Sequence, residues 1–160
     1  MARRPRWLTD DEQATWRSYL LTTQLLDEAL DRQLQRDAGF PHAYYGILVT
    51  LSEAPQRSLR MSELARRLRY SQSRMTHAVT SLERSGWVRR EACPSDRRGQ
   101  LAVLTPAGMD ALKAAAPGHV AEVRARLFDR LTPTQQAQLR DICDTVLAGL
   151  DTNEDAAPSS

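Results

Sequence analysis

The sequence is poor in cysteine, in lysine and in long apolar runs. Two cysteines occur, Cys93 and Cys143. They make neither a disulfide framework nor a CxxC pair, which excludes a stapled secreted scaffold and fits a reducing cytosol. Three histidines, His42, His77 and His119, show no ligand spacing, so no metal site is expected. No apolar run approaches the ~20 residues that a bilayer requires. The basic N-terminus MARRPRWLTDDEQ is not followed by the apolar segment of a secretory leader. The expectation is a cytoplasmic protein with no membrane partner. A glycine-rich phosphate loop, a nucleophile elbow and a metal-ligand motif are all missing. Neither an enzyme nor a cofactor is therefore expected.

What is present suits one globular domain. The chain has 160 residues, 41% hydrophobic and 26% charged. A single lysine, Lys113, stands beside 21 arginines. The overall net charge of +2 hides an asymmetry. From Arg57 to Arg98 there are eleven arginines and four acids, a net of +7, and the remainder carries −5. A basic centre in an acidic remainder points to a local polyanion-binding surface. Arginine is also the better fork for phosphate.

Residues 1–8 read as an N-terminal arm. Thr9 or Asp10 then caps a long amphipathic helix, with apolar residues at Trp16, Tyr19, Leu20, Thr23, Leu26, Leu30 and Leu34. Leu21 and Leu25 widen its apolar face. Such a helix needs more than one partner, either a second copy of the chain or further packing within one subunit. Gly39 ends it, and Pro41 and Pro55 bracket a second helix with Tyr44, Ile47, Leu48 and Leu51 on one side. Gln56–Arg60 reads as a short basic connection. Ser62 is placed to cap ELARRLR.

The link Arg69–Gln72 leads to a second short helix with Met75, Ala78, Val79 and Leu82 as its buried stripe. Ser71 caps that helix and Gly86 closes it. Two short helices on a tight link make a helix-turn-helix. The polar face carries Gln72, Ser73, Arg74, Thr76, His77, Thr80 and Ser81, with no acid before Glu83. Gln and Arg match the paired donors and acceptors of base edges, and Ser and Thr reach bases or phosphates. Double-stranded DNA is the expected partner.

Trp87–Arg89 and Leu101–Leu104 alternate as a hairpin around the loop EACPSDRRG. Its tip bears Arg97 and Arg98, suited to a narrow minor groove. After Thr105 another helix is expected, kinked or interrupted at Pro117-Gly118. Thr132 starts a last one, with Cys143 on its apolar packing face. The acidic tail, residues 151–160, is expected to be disordered.

Three stretches, MSELARRL, YSQSRMTHAVTSLERSGWV and DRRGQLAVLTPAG, occur in this order. Their sequence and spacing resemble the MarR family of bacterial transcriptional regulators, over about residues 10–150. Leu82, Gly86 and Val88 stand at the helix exit, and Asp96, Arg98, Leu104, Thr105 and Gly108 at the wing signature. The resemblance implies a mainly α fold with a small β-hairpin wing. This would be a winged helix-turn-helix with N- and C-terminal dimerisation helices. Residues 9–150 would form the domain, with a DNA-binding lobe at about 56–105 and dimerisation helices at about 9–38 and 106–150.

It further implies a homodimer, most often a repressor, on a pseudo-palindromic operator, released by a small aromatic or other organic effector. Ser71, Gln72, Ser73, Arg74 and His77 would face bases or phosphates. Arg97 and Arg98 would serve the wing, and Asp96 would hold its loop through an Arg partner. Trp16, Tyr19, His42, Tyr44 and Tyr45 would line an effector pocket, unless they simply pack in the core. Two other readings stand beside this one. Cys93, near Arg89, Arg90 and Arg97, could make a redox-responsive regulator. Alternatively, the winged helix could bind protein instead of DNA.

Overall fold

The computed structural model describes the backbone of residues 6–93 and 96–154, and the side chains of residues 6–93 and 99–150. Its elements are α1 (Asp10–Ala38), α2 (His42–Glu53), β1 (Ser58–Arg60), α3 (Met61–Arg67), α4 (Gln72–Arg84), β2 (Val88–Cys93), β3 (Asp96–Leu104), α5 (Pro106–Arg126) and α6 (Pro133–Glu154). Short 3-10 turns lie at Pro55–Arg57 and Phe128–Arg130. The chain divides into two compact units, Met1–Val120 and Ala121–Ser160.

In the first unit, α1 opens on a capping box. The Glu12 N–H donates to Thr9 Oγ1 (3.2 Å), and the Thr9 N–H donates to Glu12 Oε2 (2.8 Å). Gly39, at φ +76°, closes α1 with its N–H directed to the Leu34 and Gln35 carbonyls. The helix is about 43 Å long at 1.5 Å per residue. Only Ala29, Leu30, Gln33 and Leu34 are buried along it. The N-terminal half, with Trp16, Tyr19, Leu20, Leu21 and Leu25, is exposed. Helix α2 has no side-chain cap of its own. Instead its His42 N–H donates to Asp31 Oδ1 of α1 at 2.8 Å, which fixes where α2 begins.

The core of this unit joins Leu34, Ile47, Leu48 and Leu51 to Leu64, Met75, Val79, Leu82 and Val88, all fully or almost fully buried. Each such side chain contributes roughly 1.5–3 kcal/mol by leaving water. The three strands form one antiparallel sheet in the order β1-β3-β2. Leu59 pairs with Ala102, Val88 with Leu104, and a register shift falls at Ala92/Cys93. The wing is thus a hairpin carrying a third strand, which sequence patterning reads as a loop. The hairpin is also longer than the pattern suggests. Its strands reach Cys93 and restart at Asp96, so most of the expected loop lies within the strands.

Helix α3 starts at Met61, not after Ser62, and has no side-chain cap. The β1 backbone delivers the chain directly into it. Helix α5 runs unbroken through Pro117. Its Thr105 cap accepts the Gly108 N–H at 3.0 Å.

In the second unit, Thr132 and Gln135 form a capping box at the start of α6. Gln136 Nε2 donates to the Phe128 and Leu131 carbonyls, tying the 3-10 turn to α6. Leu139, Ile142, Val146, Leu147 and Leu150 are exposed along α6. Cys143, expected within a packing face, is exposed with them. Helix α6 continues to Glu154. The rest of the expected disordered tail, and arm residues 1–5, lie outside the described residues. Among the described residues no helix is long and apolar enough to cross a membrane.

Candidate nucleic-acid interface

Helix α4 is built to present one face. Ser71 is extended (φ −62°, ψ 153°) and its Oγ accepts the Arg74 N–H at 3.2 Å. That satisfies one of the donors every helix N-terminus leaves open. Met75, Ala78, Val79 and Leu82 are buried beneath. Ser71, Gln72, Ser73, Arg74, Thr76 and His77 are exposed on the other side. The first turn holds no acid. A helix N-terminus free of carboxylates keeps its positive dipole end and favours anions. The structure therefore brings the five residues expected at the recognition face onto one exposed surface.

Tyr70 is a residue the sequence did not single out. The Arg74 guanidinium lies over its ring, 4.0 Å from the centroid. Tyr70 itself packs half-buried against the core. The ring thereby anchors the cation at the leading end of α4. The available signal was an aromatic four residues before an arginine at a helix start.

The preceding link contains strained backbone. Arg69, at φ +54°, sits between α3 and α4, and Gln56 and Arg57, at +54° and +55°, precede β1. Left-handed non-glycine residues cost energy, and they bracket α3. Glu63 of α3 accepts from Arg67 Nε (2.7 Å) and from Arg66 Nε and Nη2 (2.9 and 2.8 Å). These bonds, Arg67 first, hold its carboxyl below the usual carboxylate range.

On the wing, Arg89 Nε pairs with Glu91 Oε1 at 2.6 Å. Arg90 turns toward α4 and meets Glu83 at 2.9 Å. Cys93 is buried in β2, which removes the exposure that a reactive thiol needs. The expected wing residues Asp96, Arg97 and Arg98 lie on β3, and their side chains are outside the described residues.

The residues expected around an effector fall into two groups. Trp16 and Tyr19 stack on the exposed half of α1, with ring centroids 5.9 Å apart. They share a shallow depression with Trp7, Leu8, Gln13 and Arg17. His42 and Tyr45 lie instead beside His119 of α5, at ring distances of 5.2 and 4.2 Å. His42 Nδ1 meets Asp27 Oδ1 at 3.1 Å. Trp16 and Asp27 are separated along α1 by about 16 Å, so one chain does not merge the two groups. Tyr44 packs partly buried on the core. Beside the second group, Gln33 Oε1 and His119 Nδ1 are buried without a hydrogen-bond partner. Among the described residues no group of three His, Cys, Asp or Glu could hold a metal.

Burial, and then the neighbouring His42, push His119 below its ordinary value of 6.5. The folded protein thus resists a proton that the unfolded chain accepts. Thermal stability from this group is expected to be complete above pH 6.5 and to fall as the pH drops below it. His119→Phe should flatten that limb in a series of melts between about pH 7 and pH 5. The depressed carboxyls of Asp37 and Glu63 act in a lower window, below their ordinary values of 3.8 and 4.5. An unchanged limb in the variant would assign the effect elsewhere.

Residues 38–99 match the model of the MarR family. The structure of Sco3205, a MarR family transcriptional regulator from Streptomyces coelicolor in complex with DNA, is 57% identical. It covers 93% of each chain with a TM-score of 0.89. The structure of AbsC, a MarR family transcriptional regulator from the same organism, is 41% identical. It covers 92% of this chain and 99% of that one with a TM-score of 0.87. YkoM of Bacillus subtilis (strain 168), an uncharacterized HTH-type transcriptional regulator, is 31% identical over 105 residues. The match takes in 65% of this chain and 66% of YkoM, so the chain spans just under two thirds of that relative's length.

Proposed function

The chain belongs to the MarR family of transcriptional regulators, and on that footing we propose that it is a cytoplasmic homodimeric repressor that binds a pseudo-palindromic DNA operator. The observation that carries the reading is the acid-free, exposed N-terminal face of α4, from Ser71 to His77, with Arg74 held on Tyr70. This face would enter the major groove. Arg97 and Arg98 would meet the flanking minor groove, with Asp96 holding their loop. The relative Sco3205 is known in complex with DNA, which supports the same partner here.

The homodimer is supported by apolar side chains exposed along α1 and α6, a waste of surface in a lone monomer. Release by a small organic effector is supported by the buried, unpartnered Gln33 Oε1 and His119 Nδ1 beside His42 and Tyr45. A polar ligand atom could satisfy either. The protein-interaction alternative has no comparable observation, and the burial of Cys93 weighs against redox control.

Salt titration tests the reading. Duplexes selected by the protein from a randomised pool should bind tightly at low salt and release as salt rises, because counterions return to the phosphates. Failure to enrich any duplex at low salt would end the DNA-binding reading. Sedimentation of the same sample should give twice the mass of one chain, and a monomer would remove the palindromic operator from the proposal.

A further inference from the structure

We propose that Arg90 is a positioning residue that sets the angle between the recognition helix and the wing. The inference rests on the DNA-binding reading above and assigns Arg90 no contact with DNA.

Arg90 is the third residue of β2, paired across the sheet with Ala102. Its guanidinium leaves the sheet and lies along α4. Nη2 donates to the Thr76 carbonyl at 2.9 Å and to Thr80 Oγ1 at 2.8 Å. Nη1 meets Glu83 Oε2 at 2.9 Å. The Arg90 backbone N–H donates to the other oxygen of the same carboxylate, Glu83 Oε1, also at 2.9 Å. One side chain therefore grips α4 at residues 76, 80 and 83, about two turns of helix. Arg90 and Glu83 are each about a quarter exposed, at 22% and 31% for their side chains.

An aliphatic side chain could fill this space without desolvating a charge. Partly buried ion pairs seldom add stability over apolar packing. What a planar fork adds is direction, because its donors fit one arrangement of acceptors. The covalent link from α4 to β2 is only the Ser85–Trp87 turn, with Gly86 at φ +73°. The base of the hairpin is held by core packing at Val88, Ala102 and Leu104 and by the pairing of β1 with β3. Arg90, two residues beyond Val88, adds a polar link that ties the emerging wing directly to α4. Major-groove and minor-groove contacts then arrive at a fixed offset, with no ordering left for the encounter with DNA.

The test uses the full-length protein and a duplex enriched by the wild type from random sequences. Two footprints are read on it: hydroxyl-radical cleavage for the flanking minor groove, and methylation of guanine N7 for the major groove. Arg90→Ala and Arg90→Lys should both lose flanking minor-groove protection while keeping central major-groove protection at saturating protein. Lysine keeps the charge but cannot span all three acceptors. Affinity should fall about tenfold. Glu83→Gln, which keeps the acceptor for the backbone N–H, should lose less.

A footprint unchanged in both Arg90 variants overturns the inference and leaves the DNA reading standing. So does an equal loss at both grooves that follows a fall in melting temperature, because that marks a structural role alone. If the wild type enriches no duplex, the DNA reading fails and takes this inference with it.

Discussion

Gly108→Ala is expected to lower the melting temperature by roughly 5–10 °C, from a loss at or above the top of the ~1–3 kcal/mol range for overpacking. Gly108 lies in the first turn of α5, directly against the backbone of Trp87. A Cβ there would collide with the Trp87 carbonyl oxygen, lie 2.9 Å from its carbonyl carbon, and come within 2.8 Å of Leu104 Cδ1. The first two are main-chain atoms and cannot rotate away. Retreat would also break a junction. The Thr105 N–H donates to the Trp87 carbonyl at 3.0 Å, and Thr105 Oγ1 accepts the Gly108 N–H. The Thr105 hydroxyl also reaches the Gly86 carbonyl at 2.7 Å. The start of α5 and the exit of α4 are thus one hydrogen-bonded knot. Gly46→Ala is the control. Its Cβ would sit 3.8 Å from Leu68 Cδ2, an ordinary contact, and alanine in a helix interior gains up to about 1 kcal/mol. Equal melts for Gly108→Ala and wild type would show that the knot yields.

Arg74→Ala should produce the largest loss of operator binding. A bidentate contact from arginine to a base is worth ~1–3 kcal/mol of discrimination. A homodimer on a two-fold site loses it twice. The full site should then weaken by roughly 2–6 kcal/mol, or about thirtyfold to twenty-thousandfold. Competition between the selected duplex and a scrambled one separates two meanings of that loss. Relaxed preference assigns Arg74 to a base. An equal weakening on both duplexes assigns it to a phosphate. Tyr70 refines the test. Tyr70→Phe keeps the ring face under the guanidinium and should match the wild type, whereas Tyr70→Ala releases the cation and should cost about 0.5–1 kcal/mol per half-site.

The helices were legible because their apolar residues repeat at three to four positions and their ends carry recognisable caps. Thr9, Gly39, Ser71, Gly86, Thr105 and Thr132 all stand at helix boundaries. The recognition face followed from the same periodicity, since a buried stripe at Met75, Val79 and Leu82 leaves only one side for the polar residues. Strand β1 was not legible. Three residues offer no alternation to count, and its pairing partner Leu101–Val103 lies about forty residues away.

Pro117 does not interrupt α5, for a different reason. A proline costs a helix about 3 kcal/mol locally, yet its neighbours are held from outside. A Cβ at Gly118 would meet Gln33 Nε2 at 3.2 Å, and His119 is buried against Tyr45. Tertiary packing overrides the local penalty. The effector residues show the opposite limit. The aromatics expected around one pocket, Trp16 and Tyr45 among them, are parted by about three turns of α1. His119, which joins His42 and Tyr45, comes from more than seventy residues further along the chain.

The four ion pairs around the candidate interface have a consequence for thermodynamics. Eleven arginines lie between Arg57 and Arg98. Arg66 and Arg67 already share Glu63, Arg89 has Glu91, and Arg90 has Glu83. An arginine that arrives neutralised displaces no condensed cation from the double helix. Seven arginines per chain at most then remain to do so. A plot of log affinity against log salt should accordingly be shallower than the sequence's arginine count implies, at about −0.9 per phosphate neutralised. Glu63→Gln would steepen it. On the proposed function, the acids inside this basic segment would act as a governor on nonspecific adhesion, leaving more of the binding energy to sequence.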